Sequence, residues 1–239
     1  MTDNDIYETN INNLININKN IEGDYIELGT FKGKGTIIMG NFIKNNMLSK
    51  KLYTFDSFSG YTNNDIKNAK TKSEQVGLII NNNSSRWNID KKLIIDKIKD
   101  NNIDDIVEII EGDISQTINT INNKNLSLIF IDCNAYYPAF NALKHLNEQI
   151  NHCCFLIVDE HTIGGETYAL REFIDKYNIK GSMFKLDTNY LTGPRIIFNV
   201  DKSTNNEMKL QWDEINKILK NKYREVIKLG SSTENDLCL

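Results

Sequence analysis

The chain has 239 residues, 40% of them hydrophobic, with 10 Tyr, 10 Phe and 2 Trp; that excludes global disorder and leaves room for one α/β domain plus an extension, not two enzymatic domains. A net charge of −4, from 28 Lys+Arg against 32 Asp+Glu, argues against a general nucleic-acid or anionic-membrane binder, which needs a basic face. The cysteines, Cys133, Cys153, Cys154 and Cys238, show no C-x-x-C spacing, so reduced thiols in a cytosol-like compartment are expected rather than a disulfide framework or a zinc ribbon.

Residues 1–20 are polar and acidic with no apolar signal region, and no stretch approaches the roughly 18 apolar residues of a membrane span. A soluble, cytoplasmic protein is expected. Apolar runs bounded by turn residues then alternate between strand and helix periods. Residues 25–28 read as a strand, followed by a glycine-rich turn and a helix over 36–47. Residues 51–55 form a second strand ending at Asp56. The segment 57–88 is polar and poorly periodic, long enough for a mobile lid. A helix over 89–100 precedes a third strand, 106–110, that ends in Glu111-Gly112-Asp113. The fourth strand, 126–131, ends at Asp132, and a helical pattern covers 137–150. The fifth, 155–158, ends at Asp159-Glu160, with a helix over 166–177 after it. Residues 183–186 and 195–200 read as a closing pair, and 207–228 as a last helix before a frayed end. His145 and His152, in or just after the 137–150 helix, are expected to face solvent.

Each of the first five strands is followed within a few residues by a carboxylate or a glycine turn. In open α/β sheets, ligands bind outside the carboxyl ends of the strands. Gly29, Gly33 and Gly35 follow the first strand, where glycine lets backbone approach a ligand and the next helix offers free N–H groups. Glu27 precedes this loop, and Asp56 is placed to accept both ribose hydroxyls of a nucleoside. Asp113 lies where an adenine edge would sit, although an aspartate there also reads as a helix cap.

Taken together, the glycine loop, Leu52-Tyr53-Thr54-Phe55-Asp56-Ser57-Phe58-Ser59-Gly60, Glu111-Gly112-Asp113, Phe130-Ile131-Asp132-Cys133-Asn134-Ala135-Tyr136 and Ile157-Val158-Asp159-Glu160 occur in an order that resembles class I S-adenosylmethionine-dependent methyltransferases. The closer resemblance is to the macrocin O-methyltransferase (TylF/NovP-like) family of sugar and antibiotic methyltransferases, over residues 23–200. It implies a Rossmann-like α/β fold with a mostly parallel seven-stranded sheet, an antiparallel last strand and helices on both faces. Residues 1–200 then form the methyltransferase domain, with its lid at about 57–88, and 201–239 a helical extension and tail.

The resemblance further implies that Glu27, Gly29, Thr30, Gly33, Gly35, Asp56, Ser57, Asp113 and Asp132 serve the S-adenosylmethionine site, and that Asp132, Asp159 and Glu160 hold a divalent cation, usually magnesium. Three carboxylates at neighbouring strand ends repel one another unless protonated, separated or neutralised by a hard cation, which supports the metal on physical grounds. The expected acceptor is a hydroxyl of a sugar or glycoside, and a homodimer is the expected assembly. Two positions depart from the family pattern. Asn134 stands where the family has the aspartate implicated as general base, and an amide takes up no proton usefully. Glu160 replaces the second aspartate of a pair. His161, next in the chain, is therefore the candidate base, because imidazole titrates near working pH; loss of the proton to water is the other route. Asn134 also motivates a rival reading as a catalytically degenerate cofactor-binding scaffold. A short-chain NAD(P)-dependent oxidoreductase is disfavoured, because no Tyr-x-x-x-Lys pair occurs.

Overall fold

The computed structural model describes residues 2–84, 86–122, 124–159, 164–188 and 191–226. Its strands are β1 (Asp24–Leu28), β2 (Leu52–Asp56), β3 (Val107–Glu111), β4 (Leu126–Ile131), β5 (Ile150–Val158), β6 (Gly181–Lys185), β7 (Ile196–Val200) and β8 (Arg224–Val226). They form one sheet in the order β3-β2-β1-β4-β5-β7-β6-β8. The first five strands are parallel, and β7 runs antiparallel to both β5 and β6. Every residue of β4, Leu-Ser-Leu-Ile-Phe-Ile, is buried, as expected for a central parallel strand covered on both faces.

Alternation along the strands splits the core into two layers. Ile26, Leu28, Ile129 and Ile131 enter one layer with helices α6 (Ile114–Thr117), α7 (Tyr136–Leu146) and α8 (Gly165–Tyr177). Tyr25, Leu128, Phe130 and Phe155 enter the other, with α1 (Asp3–Asn18), α2 (Lys34–Asn45), α5 (Lys91–Asp100) and α9 (Asn206–Lys222). The remaining helices, α3 (Asn63–Lys67) and α4 (Lys72–Asn83), lie within the segment expected to be a lid.

The structure departs from the sequence reading in four places. Helix α1 is absent from that reading because asparagines dilute its pattern, yet Tyr7, Ile11, Leu14 and Ile15 make one buried stripe and Thr2 with Asp5 forms a capping box. Segment 57–88 contains α3 and α4, each started by a threonine cap, Thr62 and Thr71. Helix α4 buries Leu78 alone, so its sequence carries almost no period. The last helix stops at Lys222 because Tyr223 adopts extended geometry, and Arg224–Val226 pairs antiparallel with the edge of β6. The described sheet therefore has eight strands rather than seven. Finally, β5 starts at Ile150, which draws His152 inward, so it does not face solvent. Its side chain is 7% exposed: Nδ1 accepts from Lys202 N–H at 3.0 Å, so Nε2 carries the proton donated to the Met208 carbonyl at 2.8 Å. His145 is likewise half-buried, with Nε2 3.2 Å from the Ile121 carbonyl.

Candidate active-site groove

In the strand order, β1 and β4 are neighbours although β2 and β3 intervene in the chain. The loops leaving β1 and β4 therefore diverge to opposite sides of the sheet and open a crevice at its carboxyl edge. Gly29 makes this possible. Its φ is +97°, and a Cβ there would overlap the Asp132 carbonyl and lie 2.9 Å from Cys133 Cα. A groove of about 540 Å³ opens at this point. Gly29 and Phe31 line it from β1, Asp56, Ser57, Gly60, Tyr61, Thr62 and Asp65 from β2 and the segment after it, and Trp87 from before α5. Gly112, Asp113 and Ile114 line it after β3, and Asp132, Cys133, Asn134 and Pro138 after β4.

Five of the expected cofactor residues thus share one groove: Gly29, Asp56, Ser57, Asp113 and Asp132. Asp56 has a second task. Its Oδ2 accepts the Thr30 and Phe31 amides at 2.9 and 2.8 Å, and Oδ1 accepts the Phe58 amide at 2.8 Å. The carboxylate therefore clamps the glycine loop and keeps about one lone pair for a ligand hydroxyl. Asp113 caps α6 by accepting the Ser115 amide at 2.9 Å, which agrees with the helix-cap reading of that residue alone. Ser57 donates to the Gly60 carbonyl at 2.5 Å.

Glu27, Thr30, Gly33 and Gly35 lie behind the groove wall. The Glu27 carboxylate is 1% exposed and accepts the hydroxyls of Thr36 and, at 2.5 Å, Thr54; Thr30 shares a hydroxyl contact with Thr54. A side chain on Gly35 would strike Glu27 Oε1, and Gly33 begins α2 at φ +77°. Burial pushes the Glu27 carboxyl up to about 7, against the pull of its threonine hydrogen bonds, from an ordinary 4.5. Below pH 4.5 it is protonated both folded and unfolded; as pH rises to 7, the unfolded chain ionises first and stability falls. A shift of this size is worth about 3 kcal/mol. Glu27→Gln keeps the shape and removes the titration, so urea unfolding of variant and wild type is expected to diverge by about that amount between pH 4.5 and 8. Parallel curves would show that Glu27 is not held neutral.

Asp132 and Asp159 stand side by side. Ile131 pairs with Val158 across the parallel strands, and the acids follow one residue on, in strands about 4.8 Å apart. Their amides bond to the Leu28 and Ile131 carbonyls at 2.8 and 3.1 Å, so backbone pairing fixes both positions. Burial pushes the Asp159 carboxyl up to about 6, although Arg195 and Lys34 pull it back. Its Oδ1 is buried without a hydrogen-bond partner. Among the described residues no group of three or more His, Cys, Asp or Glu is arranged to hold a metal. Glu160 and His161 lie outside the described residues.

Asn134 sits at φ +53°, a left-handed conformation that asparagine tolerates better than most residues. Its amide donates to Glu166 Oε1 at 2.5 Å, and its side-chain Nδ2 lies 3.5 Å from Asp132 Oδ1. Two positions further on, the Tyr136 amide donates to Glu74 Oε1 at 2.7 Å. The loop after β4 is therefore held from two sides, by α8 and by α4. Glu74, Glu166 and Asp65 had no sequence signal beyond helix-start positions. Tyr7 was missed with α1: its ring lies 3.7 Å beneath Lys34 Nζ, and burial, then Asp132, Asp159 and Glu27, hold its hydroxyl protonated. Among the aromatic side chains near the groove, Trp87 lines it, with its ring centroid 4.8 Å from that of Phe31. Tyr136 instead donates its hydroxyl to Glu172 at 2.9 Å and stacks on Phe140.

Comparison with known proteins bears on the family and the fold. The profile of the family described as Macrocin-O-methyltransferase (TylF) matches residues 7–191. Mycinamicin III 3''-O-methyltransferase from Micromonospora griseorubida is 22% identical over 181 residues, which cover 70% of this chain and 66% of that protein. The chain thus spans just under two thirds of this relative's length. The solved structure of the O-methyltransferase NovP has a TM-score of 0.69 at 18% identity, over 83% of this chain and 80% of that one. The calicheamicin methyltransferase CalS11 gives 0.60 at 14%, over 80% and 77%. These structural likenesses are in fold. Because the profile match runs from α1, past all of the carboxyl-edge motifs, to beyond β6, the chain belongs to the macrocin O-methyltransferase (TylF) family.

Proposed function

We propose that this protein transfers the methyl group of S-adenosylmethionine to a hydroxyl of a sugar, carried on a nucleotide, a glycan or a glycosylated small molecule, with magnesium assisting. The observation that carries the reading is the groove at the β1/β4 divergence, whose lining includes a side-chain-free Gly29 packed against the Asp132 backbone. In the displacement, the sulfonium–methyl bond breaks with its electron pair left on sulfur. A methyl–oxygen bond forms, and the hydroxyl proton passes to a base. Holding the two reactants in line removes much of the entropic barrier.

The residues present fit a magnesium ion. Asp132 and Asp159 are hard oxygen donors at adjacent strand ends, one with an oxygen lacking a hydrogen-bond partner, and magnesium is commonly bound by one or two carboxylates with water. Glu160, next in the chain, is the third proposed donor. When bound, the ion supplies positive charge that eases deprotonation of an acceptor hydroxyl. Asn134 orients rather than accepts: its amide is tied to Glu166 and its side chain reaches Asp132. Proton uptake therefore falls to His161. His161→Ala is expected to lower kcat about a hundredfold with cofactor affinity within about twofold, measured by steady-state kinetics and calorimetry. Unchanged kcat would remove His161 from the mechanism.

The same reading takes residues 1–200 as the transfer domain, 57–88 as its lid, 201–239 as an extension and a homodimer as the assembly. Asn134 also favours one alternative, a scaffold that binds cofactor without turnover. Calorimetry with S-adenosylmethionine, with and without magnesium, combined with labelled-methyl transfer to a panel of nucleotide-linked sugars, separates them. Transfer supports the enzyme, and binding without transfer supports the scaffold. Binding of NADH instead overturns both.

A further inference from the structure

The far end of the groove contains a buried carboxylate with an unmade bond. Asp65, on α3, is 5% exposed and lines the groove. One of its oxygens, Oδ2, accepts the Thr62 amide at 2.7 Å to start the helix. The other, Oδ1, is buried with no partner. Such orphan acceptors are rare in native structures, because each forfeits its hydration without compensation. Burial raises the carboxyl's affinity for a proton, the Thr62 hydrogen bonds oppose it, and the nearby Asp113 and Glu74 add to it; Oδ1 is thus a buried acceptor on the wall with an unmet demand for a donor. The neighbouring acid does not share that demand. Asp113 Oδ1 accepts from Ser115, and Oδ2 lies 3.3 Å from the Asn64 amide.

Position along the groove says which donor arrives. Gly29 and Asp132 flank the β1/β4 end, and Asp56 at β2 retains one site for a hydroxyl. The section at β3, between Gly112 and Ile114 on one side and Asp65 on the other, lies about two strand spacings, or ~10 Å, further along. That is the reach from a nucleoside's sulfur-bearing end to the far edge of its base. Trp87 Nε1, a buried donor on the same groove, is also without a partner, so the walls offer both polarities, as do the edges of a purine.

We propose that Asp65 Oδ1 accepts a hydrogen bond from the exocyclic amine of the cofactor's adenine, so that the segment after β2, rather than the Asp113 turn, selects adenine over 6-oxo purines. The inference rests on the proposed cofactor and goes beyond it by naming what reads the base. A 6-oxo base turns a carbonyl toward the same oxygen, and two acceptors repel.

The test compares S-adenosylhomocysteine with its deaminated counterpart, S-inosylhomocysteine, by calorimetry on the full-length protein. Wild type is expected to prefer the adenine compound at least tenfold, in keeping with one hydrogen bond to a charged acceptor. Asp65→Asn has a single acceptor oxygen. With that oxygen on the Thr62 amide, its NH2 faces the base, and the preference is expected to vanish or invert. A loss of helix packing alone weakens both compounds together and leaves the ratio standing. A folded Asp65→Asn protein with the wild-type ratio overturns the inference, as does a wild type indifferent to the two bases. That second arm needs no variant, so misfolding of Asp65→Asn leaves a decisive measurement. A wild type that binds neither compound overturns the cofactor reading itself.

Discussion

Asp132→Ala is expected to cut the proposed methyl transfer on the order of a thousandfold, the scale seen when a charge aimed at a reacting centre is removed, while the protein stays folded. The separation of the two effects follows from how Asp132 is held. Its place is fixed by the backbone: the Asp132 amide bonds to the Leu28 carbonyl, and Ile131, before it, pairs with both Leu28 and Val158. Alanine preserves those bonds. The carboxylate itself is half-buried beside Asp159, so its removal also relieves repulsion between like charges. Thermal unfolding within a few degrees of wild type, with turnover lost, is the expected pair of readings. Turnover within tenfold of wild type would show that this carboxylate has no part in holding a cation or an acceptor.

Gly29→Ala is expected to damage the fold itself. At φ +97° any side chain is strained, and the added carbon would overlap the Asp132 carbonyl and crowd Cys133. The loops after β1 and β4 would have to separate, at the one place where their close approach shapes the groove. Backbone strain and overpacking together are worth about 3–5 kcal/mol, which for a chain of this size is roughly a 10 °C fall in the unfolding midpoint. Gly77→Ala is the matched control. Gly77 lies inside α4 with nothing within 4 Å of its added carbon, and alanine there is expected to stabilise by about 0.5–1 kcal/mol through helix propensity. Denaturant unfolding of both variants reads the contrast. Equal stability for the two would mean that the β1 and β4 loops do not meet at Gly29.

Much of this architecture is legible in the chain. Apolar-rich runs mark β1, β2, β4 and β5, because parallel strands covered on both faces leave few places for polar residues, here Glu27, Thr54 and Ser127; β3, at the sheet edge, is instead partly exposed. The acids and glycines after those runs mark the carboxyl edge, because a strand's end is where side chains stop serving the core. Elements without that contrast escape. Helix α1 hides a complete apolar stripe among asparagines, α4 packs through Leu78 alone, and β8 is three residues recruited by an exposed β6 edge.

The candidate site divides along the same line. Order along the chain suffices to list Asp56, Asp113, Asp132 and Asp159 as strand-end acids, since residue type and local period depend on near neighbours. Their separate fates depend on distant ones. Glu27, in the same motif, ends behind the wall because its side chain meets Thr36 and Thr54, whereas Asp132 and Asp159 become neighbours only when β4 pairs with β5. Asp65 becomes a buried acceptor only when α3 closes against the turn after β3. Burial, and with it the cost of an unmade hydrogen bond, is a property of segments far apart in the chain, and it comes into being with their packing.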